Sequence, residues 1–263
     1  MRLFAAFAIL QDMYLAISAG LWPTILTIYH TPSLLLQPHQ LSHIFMSHVW
    51  NLFSHGVDAN ARSTKQKLIT PHAYGVVLDI GAGHGHTINY LDHSRITKYV
   101  AVEPNIHMHP ELRRTASAAG YTESAGTLII LPCGAEHITT ILSSLPTPLP
   151  HPPIDTLISI LTICSIPSPQ STISGLITEV LKPGGQVLFC EHCLSDRKDV
   201  GWWQWFWTPL WRVVFGGCCL DRPTQRWIED VGGWVGGEGV WEAGEGTEEH
   251  LFWYRAGRFV KAG

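Results

Sequence analysis

Through the middle of the chain, short apolar runs rich in β-branched residues alternate with segments of helical period. Strands alternating with helices predict a parallel sheet covered on both faces, with ligands gathering at the strands' C-terminal ends. The first run, residues 74–80, passes straight into a glycine-spaced turn that a helix should follow. Further strands are expected at residues 98–103, 127–131, 155–163 and 186–189, with a last one at 251–260 adding an antiparallel edge. Helices are expected at 110–119 and 136–142, and another should be stopped by Pro183-Gly184. Residues 145–153 read as a proline-rich surface loop and 231–246 as a loose glycine-rich hairpin.

Ahead of the first strand the period is helical. Leu41, Ile44, Phe45, Val49, Leu52 and Phe53 recur on one face of a helix that should pack on the sheet domain. Residues 62–69 form a basic helical stretch whose Arg62, Lys65 and Lys67 face solvent or anionic headgroups. Residues 3–29 carry one ionised side chain, Asp12, and are interrupted by Pro23. The apolar part after Asp12 is close to the roughly 20 residues a membrane span needs. It is expected to be an uncleaved anchor lying in or partly through a membrane, against the alternatives of a soluble lid helix or a cleaved signal. Residues 201–211, with five tryptophans, hold more rings than one core face absorbs. Extra core, an apolar substrate pocket and an interfacial aromatic belt all remain open for them.

Composition narrows the partners. With 263 residues, 46% hydrophobic and 14% charged, the chain supports one sizeable core. A net charge of −4 without a Lys/Arg cluster argues against nucleic acid, whose binding rests on phosphate neutralisation. The six cysteines lack the even spacing of a secreted scaffold and suit reduced thiols in an intracellular setting. Cys190-Glu191-His192-Cys193 followed by Cys218-Cys219 has the outline of a zinc site, but Cys190 should point into the core and no second well-spaced pair completes the set, so no metal is expected. His84, His86, His107 and His109 are read as solvent-side loop and helix residues.

The glycine turn carries the chemistry. Gly81, Gly83 and Gly85 permit backbone angles closed to other residues and let a small molecule lie against the main chain. A dinucleotide fingerprint needs its third glycine at the position of His86, so NAD is disfavoured. Asp79 closes the strand, and Glu103 ends the next one at the spacing where a carboxylate accepts from both ribose hydroxyls. The fifth strand brings Glu191-His192 to the same edge.

The series Asp79-x-Gly81-x-Gly83-x-Gly85 resembles the first motif of class I S-adenosylmethionine-dependent methyltransferases. Glu103-Pro-Asn105, Ala135-Glu136, Leu161-x-x-Cys164-Ser165, Leu181-Lys-Pro-Gly-Gly185, Glu191-His192, Pro209-x-Trp211 and Gly217-Cys218-x-Leu220-x-Arg222 together resemble the methyltransferase-like seven family, from residue 76 onward. Gly216 departs from that family, which carries an acidic residue before Gly-Cys. The resemblance implies a doubly wound, mostly parallel seven-stranded sheet of Rossmann-like α/β class, with a hydrophobic N-terminal segment at 1–37 and the methyltransferase domain at 38–263. It also implies S-adenosylmethionine as cofactor, a small-molecule methyl acceptor, possession of a membrane anchor, and residence at the endoplasmic reticulum or lipid droplets, with the cytoplasm as the alternative.

By the same resemblance Gly81 and Gly83 pass under the methionyl part, Asp79 steadies its amino group, and Glu103 holds the ribose. Ala135 and Glu136 border the adenine, and Ser159 meets the methionyl end. His192 is the one candidate for deprotonating an acceptor, at the mouth of the site. A thiol is the implied acceptor; an O- or N-methyltransferase of lipophilic metabolites and an idle membrane scaffold are the competing readings.

Overall fold

The computed structural model describes residues 1–145, 152–243 and 249–263. Helices α1 (Leu3–Phe7), α2 (Ile9–His30), α3 (Pro38–Asn60) and α4 (Arg62–Leu68) precede the first strand. The alternating part runs β1 (Gly75–Ile80), β2 (Ile96–Val102), α5 (His109–Ala118), β3 (Leu128–Leu131), α6 (Ile138–Ser144), β4 (Ile154–Ile160), α7 (Pro169–Gly175) and β5 (Leu181–Cys193). Then follow α8 (Lys198–Val214), α9 (Thr224–Val231), β6 (Trp234–Glu242) and β7 (Trp253–Lys261).

These strands form one seven-stranded sheet in the order β3-β2-β1-β4-β5-β7-β6. The first five strands pair in parallel, whereas β7 runs antiparallel to both β5 and β6. The chain order reverses between β1 and β4, so the crevice at their C-terminal ends is the switch point where such sheets take ligands. Period-two alternation sorts the strand residues between two cores. Val76, Leu78 and Ile80 lie in one with Ile173, Ile177 and Ile228, and Val77, Tyr99 and Ala101 lie in the other with Leu68, Leu112 and Ala116.

Several expectations are corrected. After the glycine turn there is only a 3-10 turn, His86–Tyr90, which ends where Leu91 goes over to extended backbone ahead of β2 at Ile96. The helix before strand five ends as a π-helical turn at Val180, ahead of Pro183-Gly184, and β5 takes up Pro183, Gly184 and Gly185 as a pairing irregularity between Leu181 and Gln186. The glycine-rich stretch from 231 is in large part a regular strand, β6, with irregular pairing at its glycines; residues 244–246 lie outside the described set. The sheet edge is therefore β6, and β7 is interior. Residues 146–151 of the proline-rich segment likewise lie outside the described set.

Lys65 does not face solvent or lipid: it is buried and its Nζ donates to Asp58 Oδ1 at 2.8 Å. The N-terminal helices pack on the domain along one stripe. Ile9, Met13 and Ala16 join Val49 of α3 and Val200, Trp207, Trp211 and Val214 of α8 in a third apolar cluster, and Trp207 Nε1 donates to Ala6 O at 2.8 Å. The opposite stripe is bare: Tyr14, Leu21, Trp22 and Tyr29 are exposed, as are Trp202, Trp205 and Phe206 on α8. The aromatic segment thus divides between core and surface, because a helix that carries rings all round can bury only one side. Residues 3–30 are long and apolar enough to cross a membrane.

Candidate cofactor and acceptor site

The glycine loop leaves β1 at the switch point and is tied to β2, where Val102 O accepts from Gly81 N at 2.8 Å and from Ala82 N at 3.2 Å. Gly81 and Gly83 sit at φ +64° and +53°, the left-handed region that L side chains rarely adopt. A Cβ at Gly81 would meet the Thr162 side chain at 2.4 Å, and one at Gly83 would meet Trp50 Nε1 at 2.8 Å. Both positions are glycine because neighbouring groups close on the main chain from above.

Glu103 lies just past β2 and is 7% exposed. Its Oε2 accepts from Gly83 N and its Oε1 from Asn105 N, both at 2.8 Å. Burial pushes its carboxyl upward, against the pull of those two backbone donors. Asn105 Nδ2 donates to His43 O at 2.8 Å, which ties α3 to this corner. The loop, the carboxylate and α3 are therefore one hydrogen-bonded unit. Asp79 is 1% exposed and accepts from Tyr99 OH at 2.5 Å, the two residues projecting to the same sheet face.

Ser159 is engaged within the protein: its Oγ donates to Glu191 Oε1 at 2.7 Å. The same oxygen accepts from Thr162 N at 2.9 Å and Ile163 N at 3.3 Å, so Glu191 fixes the turn that leaves β4. Within that turn Leu161 holds φ +55°, a strained value for a branched side chain and of a kind that clusters at functional sites. Ala135 is buried, and Glu136 is half-buried with its carboxylate folded over Gly134.

His192 is not at an open mouth. It is 4% exposed, and its Nε2 lies 3.1 Å from Cys218 Sγ, beneath the turn after α8. His84 and His109 are also buried, not solvent-side: His84 Nδ1 lies 3.2 Å from Ser54 Oγ and His109 Nε2 2.8 Å from Glu103 O. His86 is half-buried and only His107 is exposed as expected.

Sequence reading missed Trp50 and Thr162, and it did not anticipate that Glu191 would gather Ser159, Thr162 and Ile163. Only Glu191 had a signal, its place at the end of the fifth strand. Trp50 had none, since nothing in a helical period says that one indole will overhang a loop some thirty residues on.

The side-chain-free loop, the buried carboxylate beside it and the Trp50 Nε1 near that loop, without a partner among the described residues, fit an adenosine-containing ligand with a main-chain-hugging tail. Fold and crevice define a class I S-adenosylmethionine-dependent methyltransferase. The family model described as a methyltransferase domain matches residues 53–228, and the chain belongs to that family. Human thiol S-methyltransferase TMT1B is 32% identical over 78 residues, 29% of this chain and 32% of that protein. The rat thiol S-methyltransferase TMT1B is 25% identical over 154 residues, 58% of this chain and 57% of that protein. The matched stretches thus span between about a third and just over half of those relatives. Among solved structures, the YcgJ protein of Bacillus subtilis aligns with a TM-score of 0.55 at 14% identity, over 78% of this chain and 99% of that one, a likeness of fold.

Asp79 gives the site a pH signature. Burial outweighs the Tyr99 hydrogen bond and raises its carboxyl to about 6. An acid raised in the folded state contributes stability that is fully present below its unfolded value near 3.8 and is lost as pH rises through about 6. Across that window the ligand-free protein should lose about 3 kcal/mol relative to Asp79→Asn, at 1.36 kcal/mol per unit. Across pH 4 to 7 the thermal midpoint of the wild type is expected to fall relative to that of Asp79→Asn. Parallel curves would show that Asp79 titrates normally.

Proposed function

We propose that this methyltransferase acts on the sulfur of a small lipophilic thiol, at a membrane surface. The observation that carries the acceptor reading is the local identity with thiol S-methyltransferases. S-adenosylmethionine supplies an activated methyl group, so the protein's share is alignment and desolvation. Gly81, Gly83 and Gly85 receive the methionyl tail along bare backbone, and Asp79 lies below them as the countercharge to its ammonium. Glu103 keeps two lone-pair sites for ribose hydroxyls after accepting from Gly83 and Asn105. Ala135 and Glu136 border the base. Ser159 acts through Glu191, holding the β4 exit turn against the methyl-transfer position.

Membrane association is proposed through the bare stripe of α2 and the exposed rings of α8, which suit an interfacial seat better than a crossing that would strip the Ile9–Met13–Ala16 stripe from Val49 and Trp207. Residence at the endoplasmic reticulum or lipid droplets accords with this reading. One experiment addresses both: membranes from cells expressing the full chain are washed with carbonate, and pellet and supernatant are assayed with tritiated-methyl S-adenosylmethionine on thiol, phenol and amine acceptors. Activity is expected in the pellet and on thiols. Transfer only to phenols or amines would replace the acceptor, activity only in the supernatant would remove the membrane, and no transfer to any acceptor would favour an idle scaffold.

A further inference from the structure

Three soft or borderline ligand atoms converge between the exits of β4 and β5 and the turn after α8. Cys164 Sγ comes from the turn after β4, His192 Nε2 from the end of β5 and Cys218 Sγ from the turn after α8, and all lie within 4.8 Å of one another. Cys218 Sγ is 3.1 Å from His192 Nε2 and 3.3 Å from Cys164 Sγ. The arrangement is held from behind. Cys219 N donates to Cys164 O at 3.0 Å and Cys218 N to Phe215 O at 3.0 Å, while Gly216 and Gly217 at φ +55° and +92° turn Cys218 toward the histidine. Cys164 and His192 are buried, and His192 Nδ1 has no partner among the described residues.

The geometry points to a zinc site made by Cys164, His192 and Cys218, with its fourth position open to the acceptor. Two thiolates and one imidazole are a donor set that selects zinc, and three protein ligands are the number that leaves a tetrahedral position free. Zinc with two thiolates and a neutral imidazole sums to zero charge, which a buried pocket tolerates where either thiolate alone would be costly. Tetrahedral bonds of about 2.3 Å to sulfur and 2.0–2.1 Å to nitrogen place ligand atoms about 3.5–3.8 Å apart. The two separations from Cys218 Sγ, 3.1 Å to His192 and 3.3 Å to Cys164, are slightly tighter than that, so an ion spreads them by about half an ångström, within side-chain rotation. His192 and Cys218 fall within the Cys190-Glu-His-Cys193 and Cys218-Cys219 pattern visible in sequence, but Cys190 and Cys193 are buried elsewhere on β5 and the third ligand is Cys164.

Resting on the thiol reading above, the open position receives the acceptor's sulfur. The acceptor S–H bond breaks, its electron pair forms the S–Zn bond, and the proton passes to solvent, so the acceptor is held as a thiolate without a protein base. His192 is then a ligand and not the proton acceptor named from sequence.

The test uses the full chain purified under reducing conditions, with zinc measured by mass spectrometry and Co²⁺ uptake followed through its thiolate charge-transfer and d–d bands. One metal per chain is expected. Cys164→Ser and Cys218→Ser should each weaken Co²⁺ binding by more than the roughly 10–100-fold that loss of an outer-shell partner causes. Cys133→Ser, on another strand exit, should bind as the wild type does. A wild type without thiolate bands on cobalt addition, equal metal in both serine variants, or a Cys164–Cys218 disulfide in the reduced preparation overturns the site. Adding a thiol acceptor to the cobalt protein should shift the d–d bands and release a proton. Unshifted bands in a protein that does methylate thiols overturn the coordination step alone; a metal-bearing protein that methylates no thiol sinks the acceptor reading and leaves the metal site standing.

Discussion

Glu103→Ala is expected to weaken binding of S-adenosylhomocysteine by a factor of about 100 to 1,000 and to lower the stability of the ligand-free protein as well. The carboxylate's two engaged lone pairs hold Gly83 N and Asn105 N, and the two that remain are those proposed to accept the ribose hydroxyls. Hydrogen bonds from hydroxyls to a charged acceptor contribute about 1.5–3 kcal/mol each, so losing two accounts for the factor even after water competes for part of it. The two backbone donors left without a partner in a buried corner add about 1–3 kcal/mol apiece to the loss of stability. Glu103→Gln separates the two effects poorly, because its amide must turn a donor toward Gly83 N or Asn105 N. Titration calorimetry below the thermal midpoint, with the midpoint measured alongside, reads affinity and fold independently. An alanine variant that binds within about twofold of wild type would remove Glu103 from the ribose site, whatever happened to its stability.

Legibility in the sequence followed physical range. Strand and glycine patterns are local, so the sheet, its parallel order, and the clustering of Asp79, the glycine loop and Glu103 at one edge could be read from period and spacing alone. The helix expected after Gly85 is a single 3-10 turn, because Leu91 is already extended on the way to β2. Contacts between distant segments were not legible. Lys65 reads as a surface residue until Asp58 is seen beside it, Ser159 reads as a ligand contact until Glu191 is found to occupy it, and Cys164 and Cys218 are fifty-four positions apart. The N-terminal segment shows the same limit: hydropathy registers that α2 is apolar all round, but only packing tells which stripe belongs to Val49 and Trp207 and which is left bare.

Gly83→Ala is expected to lower affinity for S-adenosylhomocysteine by about two orders of magnitude, with a smaller part of that loss recoverable by a second change in α3. The left-handed backbone at φ +53° costs an L-residue about 1–2 kcal/mol, and relaxing it rotates the N–H now given to Glu103 Oε2. The new methyl would also stand 2.8 Å from Trp50 Nε1, about 0.7 Å inside a van der Waals contact of about 3.5 Å, so the indole must swing aside or the loop must sink. Trp50→Leu removes the second obstacle and leaves the first. The double variant Gly83→Ala/Trp50→Leu should therefore bind more tightly than Gly83→Ala, while Trp50→Leu alone should bind more weakly than wild type, because it removes an indole N–H that stands against the loop without a partner among the described residues. That pattern is a coupling of opposite sign to either single effect, and calorimetry on the four proteins measures it. Strict additivity across the cycle would mean that Trp50 does not lie over the loop when the cofactor is bound, and α3 would then have to open for binding instead of forming part of the cofactor's wall.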